Sequence, residues 1–325
     1  MTNPETNRGS GTICLLLTLF FFCTIPPAQG QSGSGKDLFS ALQENDSARV
    51  QELLSQGADP NATDADGDNA LMISALYSST ICMDLLLQKG ADPNKTNLAG
   101  ETALMWSVHE LSKTRLLLNH GAEVNIKSGK GNTALLIAVV GRNQQEIIAL
   151  LLERGADPLA KNNFAETTLH RSAFMGDTSR LALFFSKGVD INARDSAGFT
   201  ALIQSAIHSN WNCSQWLLSH GADPDLAMAF GITALAAAGT YGSYTTVQAL
   251  LRRIKNVNAI YADGHTPLMW AVYCEHDNPE VIQALLAKGA KVNFHAKDGS
   301  TALSWARKKG KSETVAVLIS AGAKD

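Results

Sequence analysis

The residues that could carry chemistry in this chain are few and poorly grouped. Gly30-Gln-Ser-Gly-Ser-Gly35-Lys36 has the glycine and lysine spacing of a loop that cradles phosphates. Asp37 then stands where such a loop needs Ser or Thr for magnesium, and no strand-like run precedes it, so nucleotide binding is not expected. Cys274, Glu275 and His276 lie together, but Cys-x-His on one turn without a second ligand pair falls short of a four-ligand metal site. Most of the 8 histidines fall on recurring sequence positions: His120 and His220 each precede a glycine, and His265 precedes a threonine. No Gly-x-Ser-x-Gly elbow and no arguable Ser/His/Asp set is present. No catalytic residue, metal or cofactor is expected.

The cysteines give no chemistry either. Cys14 and Cys23 belong to an N-terminal apolar run; Cys82, Cys213 and Cys274 are spread over the rest. Cys82 and Cys213 each stand eight residues before a glycine, so they occupy equivalent places four units apart in the repeat described below. Packed helix layers are roughly 8–10 Å apart and a disulfide needs Cα atoms within about 7 Å, so no internal disulfide is expected. Four Asn-x-Ser/Thr sequons occur, at Asn45, Asn61, Asn94 and Asn212.

The elements that hold these residues recur. Gly57, Gly90, Gly121, Gly155, Gly188, Gly221, Gly289 and Gly322 open one turn at intervals of 31–34 residues, apart from one gap of 68. In that gap Ile254 takes the glycine's place (LLRRIKNVN), giving nine turns. In phase with them run Asn69-Ala-Leu, Thr102-Ala-Leu, Thr133-Ala-Leu, Thr167-Thr-Leu-His, Thr200-Ala-Leu, Thr233-Ala-Leu, Thr266-Pro-Leu and Thr301-Ala-Leu. Thr or Asn there caps a helix, and Pro267 suits a first helical turn. A second helix starts about ten residues on and ends in Leu-Leu, two polar residues and glycine, as in Leu86-Leu87-Gln88-Lys89-Gly90. One such unit cannot bury its apolar face alone, so stacked neighbours must complete its core.

These motifs resemble the ankyrin repeat, whose roughly 33-residue unit carries TPLH and GADVN-like signatures. Thr167-Thr-Leu-His170 and Gly264-His-Thr-Pro-Leu268 are the closest copies. The resemblance covers residues 36–325. It implies an all-α repeat solenoid of about nine units of paired antiparallel helices with protruding β-hairpin turns, with capping repeats at 36–69 and 301–325 and residues 31–35 as a flexible lead-in. One extra residue near Asn143–Gln145, two near Asp277–Pro279, and a two-residue deletion near Leu111 all fall between paired helices.

The N-terminus follows another pattern. Arg8, the apolar run Ile13–Ile25, and Ala28-x-Gly30 read as a secretory signal over residues 1–30, cleaved before Gln31; an uncleaved anchor is the alternative. Export to a periplasm or to the extracellular space is expected, the bacterial periplasm being favoured. No later run is long and apolar enough for a membrane span, so no stable membrane insertion is expected after cleavage. Formal net charge is −3, which gives no global basic field for nucleic acid.

The resemblance also implies where a partner would sit, namely on the groove formed by hairpin tips and first helices. Carried over position by position, the hairpins supply Leu98, Phe164, Phe199, Phe230 and Ile232. The first helices supply Leu76, Tyr77, His109, Phe174, Met175 and Ile207, then His208, Tyr241 and Tyr273, with Lys308 and Lys309 at the end. Trp106, Trp270 and Trp305 share one further position between core and groove. Aromatic and Met side chains where water favours polar ones mark an interaction surface. The reading is a monomeric, non-catalytic scaffold that binds a partner protein; an enzyme, or a small-molecule or metal binder using the same groove, and a secreted effector are the alternatives.

Overall fold

The computed structural model describes residues 33–324 apart from Gly242, Asp263, Glu275 and His276; of Gly33, Ser34 and Phe230 it describes the backbone alone. The expected signal segment, residues 1–30, lies outside the described residues. Among the described residues, eighteen α-helices follow one another in nine pairs. The first helices are α1 (Gly33–Gln43), α3 (Ala70–Tyr77), α5 (Ala103–Ser107), α7 (Ala134–Ala138), α9 (Thr168–Met175), α11 (Ala201–Ile207), α13 (Ala234–Thr240), α15 (Pro267–Tyr273) and α17 (Ala302–Lys308). Their partners are α2 (Ser47–Ser55), α4 (Thr80–Gln88), α6 (Leu111–Asn119), α8 (Gln145–Glu153), α10 (Thr178–Ser186), α12 (Trp211–Ser219), α14 (Tyr244–Leu251), α16 (Pro279–Ala287) and α18 (Ser312–Ser320). First helices pack on neighbouring first helices and second helices on second helices, so the chain is a two-layered solenoid.

The repeated sequence letters map onto repeated packing. The signature leucines Leu71, Leu104, Leu135, Leu169, Leu202, Leu235, Leu268 and Leu303 are all buried between the layers. Each such side chain is worth about 1.5–3 kcal/mol on leaving water. The residue two before each leucine caps the helix. Thr102, Thr133, Thr200 and Thr301 accept the backbone N–H three residues on, and Asn69 does the same for Met72 at 3.0 Å. Thr167 is tied instead to His170, whose Nδ1 accepts the Thr167 N–H at 3.2 Å. The Thr233 hydroxyl meets the Tyr261 hydroxyl at 3.1 Å, and the buried Thr266 hydroxyl has no partner among the described residues.

The glycine turn explains itself in two ways. Gly57 and its equivalents sit at φ near +90°, and a Cβ built there would meet nothing within 4 Å. The backbone conformation, not crowding, selects glycine. The asparagine that follows fastens one unit to the next. Asn94 Nδ2 donates to Gly121 O at 3.1 Å, and its Oδ1 accepts from Glu123 N at 2.7 Å. Asn61, Asn125, Asn258 and Asn293 make the same pair of bonds to their following turns. Leu159 occupies that place in its unit and can make neither bond.

The extended segments are turns rather than strands. Among the described residues the only β features are two isolated bridges, Thr63 with Asn69 and Ala227 with Thr233. Hairpin tips are joined by single backbone bonds, such as Gly129 N to Ala99 O at 2.7 Å and Ser196 N to Phe164 O at 2.8 Å. The insertions fall between paired helices: Asn143 and Gln144 precede α8, and Asp277 and Asn278 precede α16. The deletion expected in the loop near Leu111 comes instead out of the first helix, α5 being five residues long and followed by a loop at 108–110 no shorter than the loops of units that carry no insertion. α1 starts at Gly33, so residues 33–35, expected in a flexible lead-in, form its first turn.

Candidate functional site

The face to consider is the one lined by hairpin tips and by the ends of first helices. Numbering from each signature Thr or Asn, the seventh and eighth residues on stand at or just past the end of the first helix. Leu76 and Tyr77 end α3, Phe174 and Met175 end α9, and Ile207 and His208 straddle the end of α11. His109 and Glu110, expected on the first helix, lie in the loop after the shortened α5. The main helical apolar face points into the core, so these terminal side chains fall outside it. Leu98 at a hairpin tip is 83% exposed and Phe164 at another is 56% exposed. Leu76, Tyr77, His109 and Tyr241 are exposed as well. Large apolar groups held open on ordered backbone are the costly, informative case.

Other expected positions are half-buried. Phe199 and Ile207 pack against the core, and Ile232 and Met175 are partly covered. Phe199 also contributes backbone: its carbonyl accepts from His170 Nε2 at 2.9 Å, a bond from one unit to the next. The Phe230 side chain lies outside the described set. Phe174 and His208, the seventh residue of one unit and the eighth of the next, meet edge to face with ring centroids 4.5 Å apart. Burial holds the His208 pKa below its ordinary value; that of the exposed His109 is lowered as well, by partial desolvation of its ring, with the Lys113 charge adding to the effect. Both rings are therefore biased toward the neutral, apolar form on this surface.

Tyr273 belongs to a larger cluster. Its ring lies 5.6 Å from Trp270 and 5.6 Å from Trp305, and His265 lies 4.6 Å from Trp305. Lys309 places its ammonium 3.8 Å over the Tyr273 ring and donates to Tyr273 O at 2.9 Å. Four aromatic rings and a cation from two units thus converge. The third residue of the tryptophan row behaves differently: Trp106 Nε1 donates to Glu101 Oε2 at 2.8 Å, whereas His265 takes the place of Glu101 beside Trp270. Sequence reasoning placed these tryptophans between core and groove; the repeated Leu-x-Trp next to Tyr273 was the signal that could have joined them.

Two features hold the face rigid. Lys113 Nζ donates to Ala75 O at 3.0 Å and pairs with Glu110 at 2.9 Å. Arg180 reaches back to Val139 O and Gly141 O and pairs with Asp177 at 3.0 Å. Each cation meets carbonyls at the C-terminal end of a preceding first helix, where positive charge is favoured. The second layer carries its own aromatic group, with Trp216 and His220 stacked at 3.8 Å and Phe185 edge-on to Trp216 at 5.7 Å, away from the groove. Trp211, Gln215, Gln248 and Arg252 line a shallow cleft between α12 and α14 on that side.

Among the described residues no reactive set of side chains is assembled, and Glu275 and His276 lie outside them. Cys82, Cys213 and Cys274 are free and buried. Burial raises the Cys82 pKa, and that of Cys213 is pushed up to about 12. No group of three or more His, Cys, Asp or Glu side chains that could hold a metal occurs among the described residues. Among them, too, no helix is long and apolar enough to cross a membrane.

A two-layered stack of helix pairs joined by recurring glycine turns defines a repeat solenoid. The family model "Ankyrin repeats (3 copies)" matches this chain in overlapping windows, residues 38–128, 82–162, 135–228, 169–261, 215–294 and 234–325. The chain belongs to the ankyrin-repeat family, whose repeats are in general protein-interaction modules. Among curated proteins it is similar to human "Transient receptor potential cation channel subfamily A member 1", 28% identical over 139 residues, which is 43% of this chain and 10% of that protein. It is also similar to "Putative ankyrin repeat protein FPV024" of fowlpox virus, 41% identical over 61 residues, which is 19% of this chain and 10% of that protein. The matches thus span a tenth of each relative's length.

Proposed function

We propose that this chain is a non-catalytic scaffold that recognises a partner protein through the hairpin and first-helix groove. The observation that carries the reading is the run of exposed apolar side chains, Leu76, Tyr77, Leu98, Phe164 and Tyr241, on a backbone pinned by inter-unit bonds. Preordered anchors lose little entropy on association, so contact area converts efficiently into affinity. The binding unit is a monomer, and nucleic acid is not its partner, because the formal net charge is −3. The test is retention of native-compartment proteins on immobilised chain, beside a variant with Phe164, Phe174 and Tyr241 changed to Ser and shown to be folded by circular dichroism. A protein held by the wild type and lost by the variant supports the groove; equal retention by both removes it from these residues.

We propose in addition that the chain is exported to a periplasm or to the extracellular space. The support is the charged and then apolar sequence through Ile25, followed by Ala28-x-Gly30. N-terminal sequencing of the cellular protein should begin near Gln31; a start at Met1 in a cytosolic fraction contradicts it.

A further inference from the structure

The aromatic cluster at the C-terminal end of the groove has a chemistry of its own. We propose that His265, Trp270, Tyr273, Trp305 and Lys309 form a docking site for an acidic segment of a partner protein, one in which a flat side chain stands next to a carboxylate. The inference rests on the protein-binding reading above and gives it a place and a recognised chemistry.

Three observations point to this occupant. The rings are half-buried rather than sealed, with Tyr273 between Trp270 and Trp305 at 5.6 Å on either side, so they offer edges and faces to an added flat group. The Lys309 ammonium is already held, 3.8 Å over the Tyr273 ring and 2.9 Å from its carbonyl oxygen. An ammonium has three N–H donors; with one on the carbonyl and one turned toward the ring, the third remains for an acceptor. A positioned cation with a spare donor binds a carboxylate at little ordering cost. The same charge repels a second cation, so the cluster does not function as a cage for an incoming ammonium group.

The surrounding charge agrees. Residues 251–325, which hold the whole cluster, carry eleven basic and seven acidic residues, whereas residues 36–101 carry eleven acidic and four basic ones, so the net charge changes sign along the array. Lys308 is exposed beside Lys309, and Lys297 donates to Ala262 O at 3.1 Å while keeping its charge at the hairpin. The nearby Asp298 accepts from Ser300 N and Oγ at 2.9 and 2.6 Å, which fixes its carboxylate and leaves its negative charge to be outweighed by Lys297, Lys308 and Lys309. An acidic segment is therefore steered to this end of the groove and away from the other.

The experiment pans a phage-displayed library of random dodecapeptides on the immobilised full chain. Enriched sequences are then synthesised and titrated by fluorescence anisotropy. The expected result is enrichment of Asp or Glu beside Tyr, Trp or Phe. Binding should weaken with added salt and fall at least about tenfold in the Lys308→Glu/Lys309→Glu variant, whose changes are exposed and spare the core. Trp305→Ala, checked for folding, should weaken it as well. Peptides without acidic bias, or indifferent to the charge reversal, overturn the proposal. Peptides lost only in the Phe164, Phe174 and Tyr241 variant overturn this site and leave the groove reading standing; dependence on neither set overturns both. Self-association by sedimentation velocity that the charge reversal abolishes, without acidic enrichment, makes the acidic end of a second copy the occupant and also overturns it.

Discussion

Leu159→Asn should stabilise the solenoid by closing a gap in its row of asparagines. Asn61, Asn94 and Asn125 in the units before it, and Asn258 and Asn293 after, each bind a glycine carbonyl and a backbone N–H of the next turn at 2.7–3.1 Å. By the same register, an asparagine at 159 would donate to Gly188 O and accept from Asp190 N. A net bond contributes about 0.5–1.5 kcal/mol; both are solvent-exposed, so the pair is worth about 1–2 kcal/mol. Replacing a half-exposed leucine loses little burial in return. With a urea slope near the top of the small-protein range, about 3 kcal/mol per M, the midpoint should rise by about 0.3–0.7 M. Far-UV circular dichroism in urea reads this, and hydrogen exchange at the Asp190 amide should slow. Asn94→Leu is the mirror experiment and should lower the midpoint by a similar amount. A midpoint in Leu159→Asn that stays put or drops, while Asn94→Leu behaves as stated, would refute the view that this side chain couples adjacent units.

Four further outcomes follow from single side chains. Ala165 alone fills the hairpin glycine position with a side chain, at φ +58°, so Ala165→Gly should stabilise by about 0.5–1 kcal/mol in thermal or urea unfolding, a loss of stability being the contrary result. Phe184 is fully buried, and Phe184→Ala should cost about 3–5 kcal/mol in the same assay; a cost below 1 kcal/mol would mean its site collapses or is wet. His170 has its pKa lowered by burial, and its Nδ1 accepts from Thr167, so protonation breaks the cap. Its stabilising contribution is whole above the unfolded value of about 6.5 and is lost as pH falls through the lower folded value; His170→Gln should flatten that acid limb, and an NMR pKa at or above 6.5 would contradict this. Cys82, Cys213 and Cys274 should be silent to Ellman's reagent in the folded protein and react on unfolding, since thiolates are the reactive form; rapid reaction of the native chain would show that they are not buried as described.

Much of the fold was legible in the sequence because a repeat writes its packing many times. The Thr-x-Leu and glycine-turn letters gave the unit, its phase and the degenerate copy at Ile254. What the letters hide is contact between units. Asn61 and Asn94 were readable as turn residues, yet their bonding to Gly90 and Gly121 depends on a neighbour about thirty residues away. The same holds for Lys113 and Arg180, whose partners lie on a preceding first helix. On the groove, the register gave positions but not rotamers. It could not tell the exposed Phe164 from Phe199, which packs inward, nor show that Tyr273 and Lys309 touch. Those differences arise from side-chain torsions and from local insertions, which a periodic pattern averages away.

The most direct test of the central claim is quantitative binding of the partner retained by the full chain, measured by isothermal titration against the wild type and the Phe164, Phe174 and Tyr241 to Ser variant. The account expects one binding event that weakens at least about a hundredfold, near 2.7 kcal/mol, in a variant that melts like the wild type. An unchanged dissociation constant in that folded variant would contradict it and move recognition off the groove.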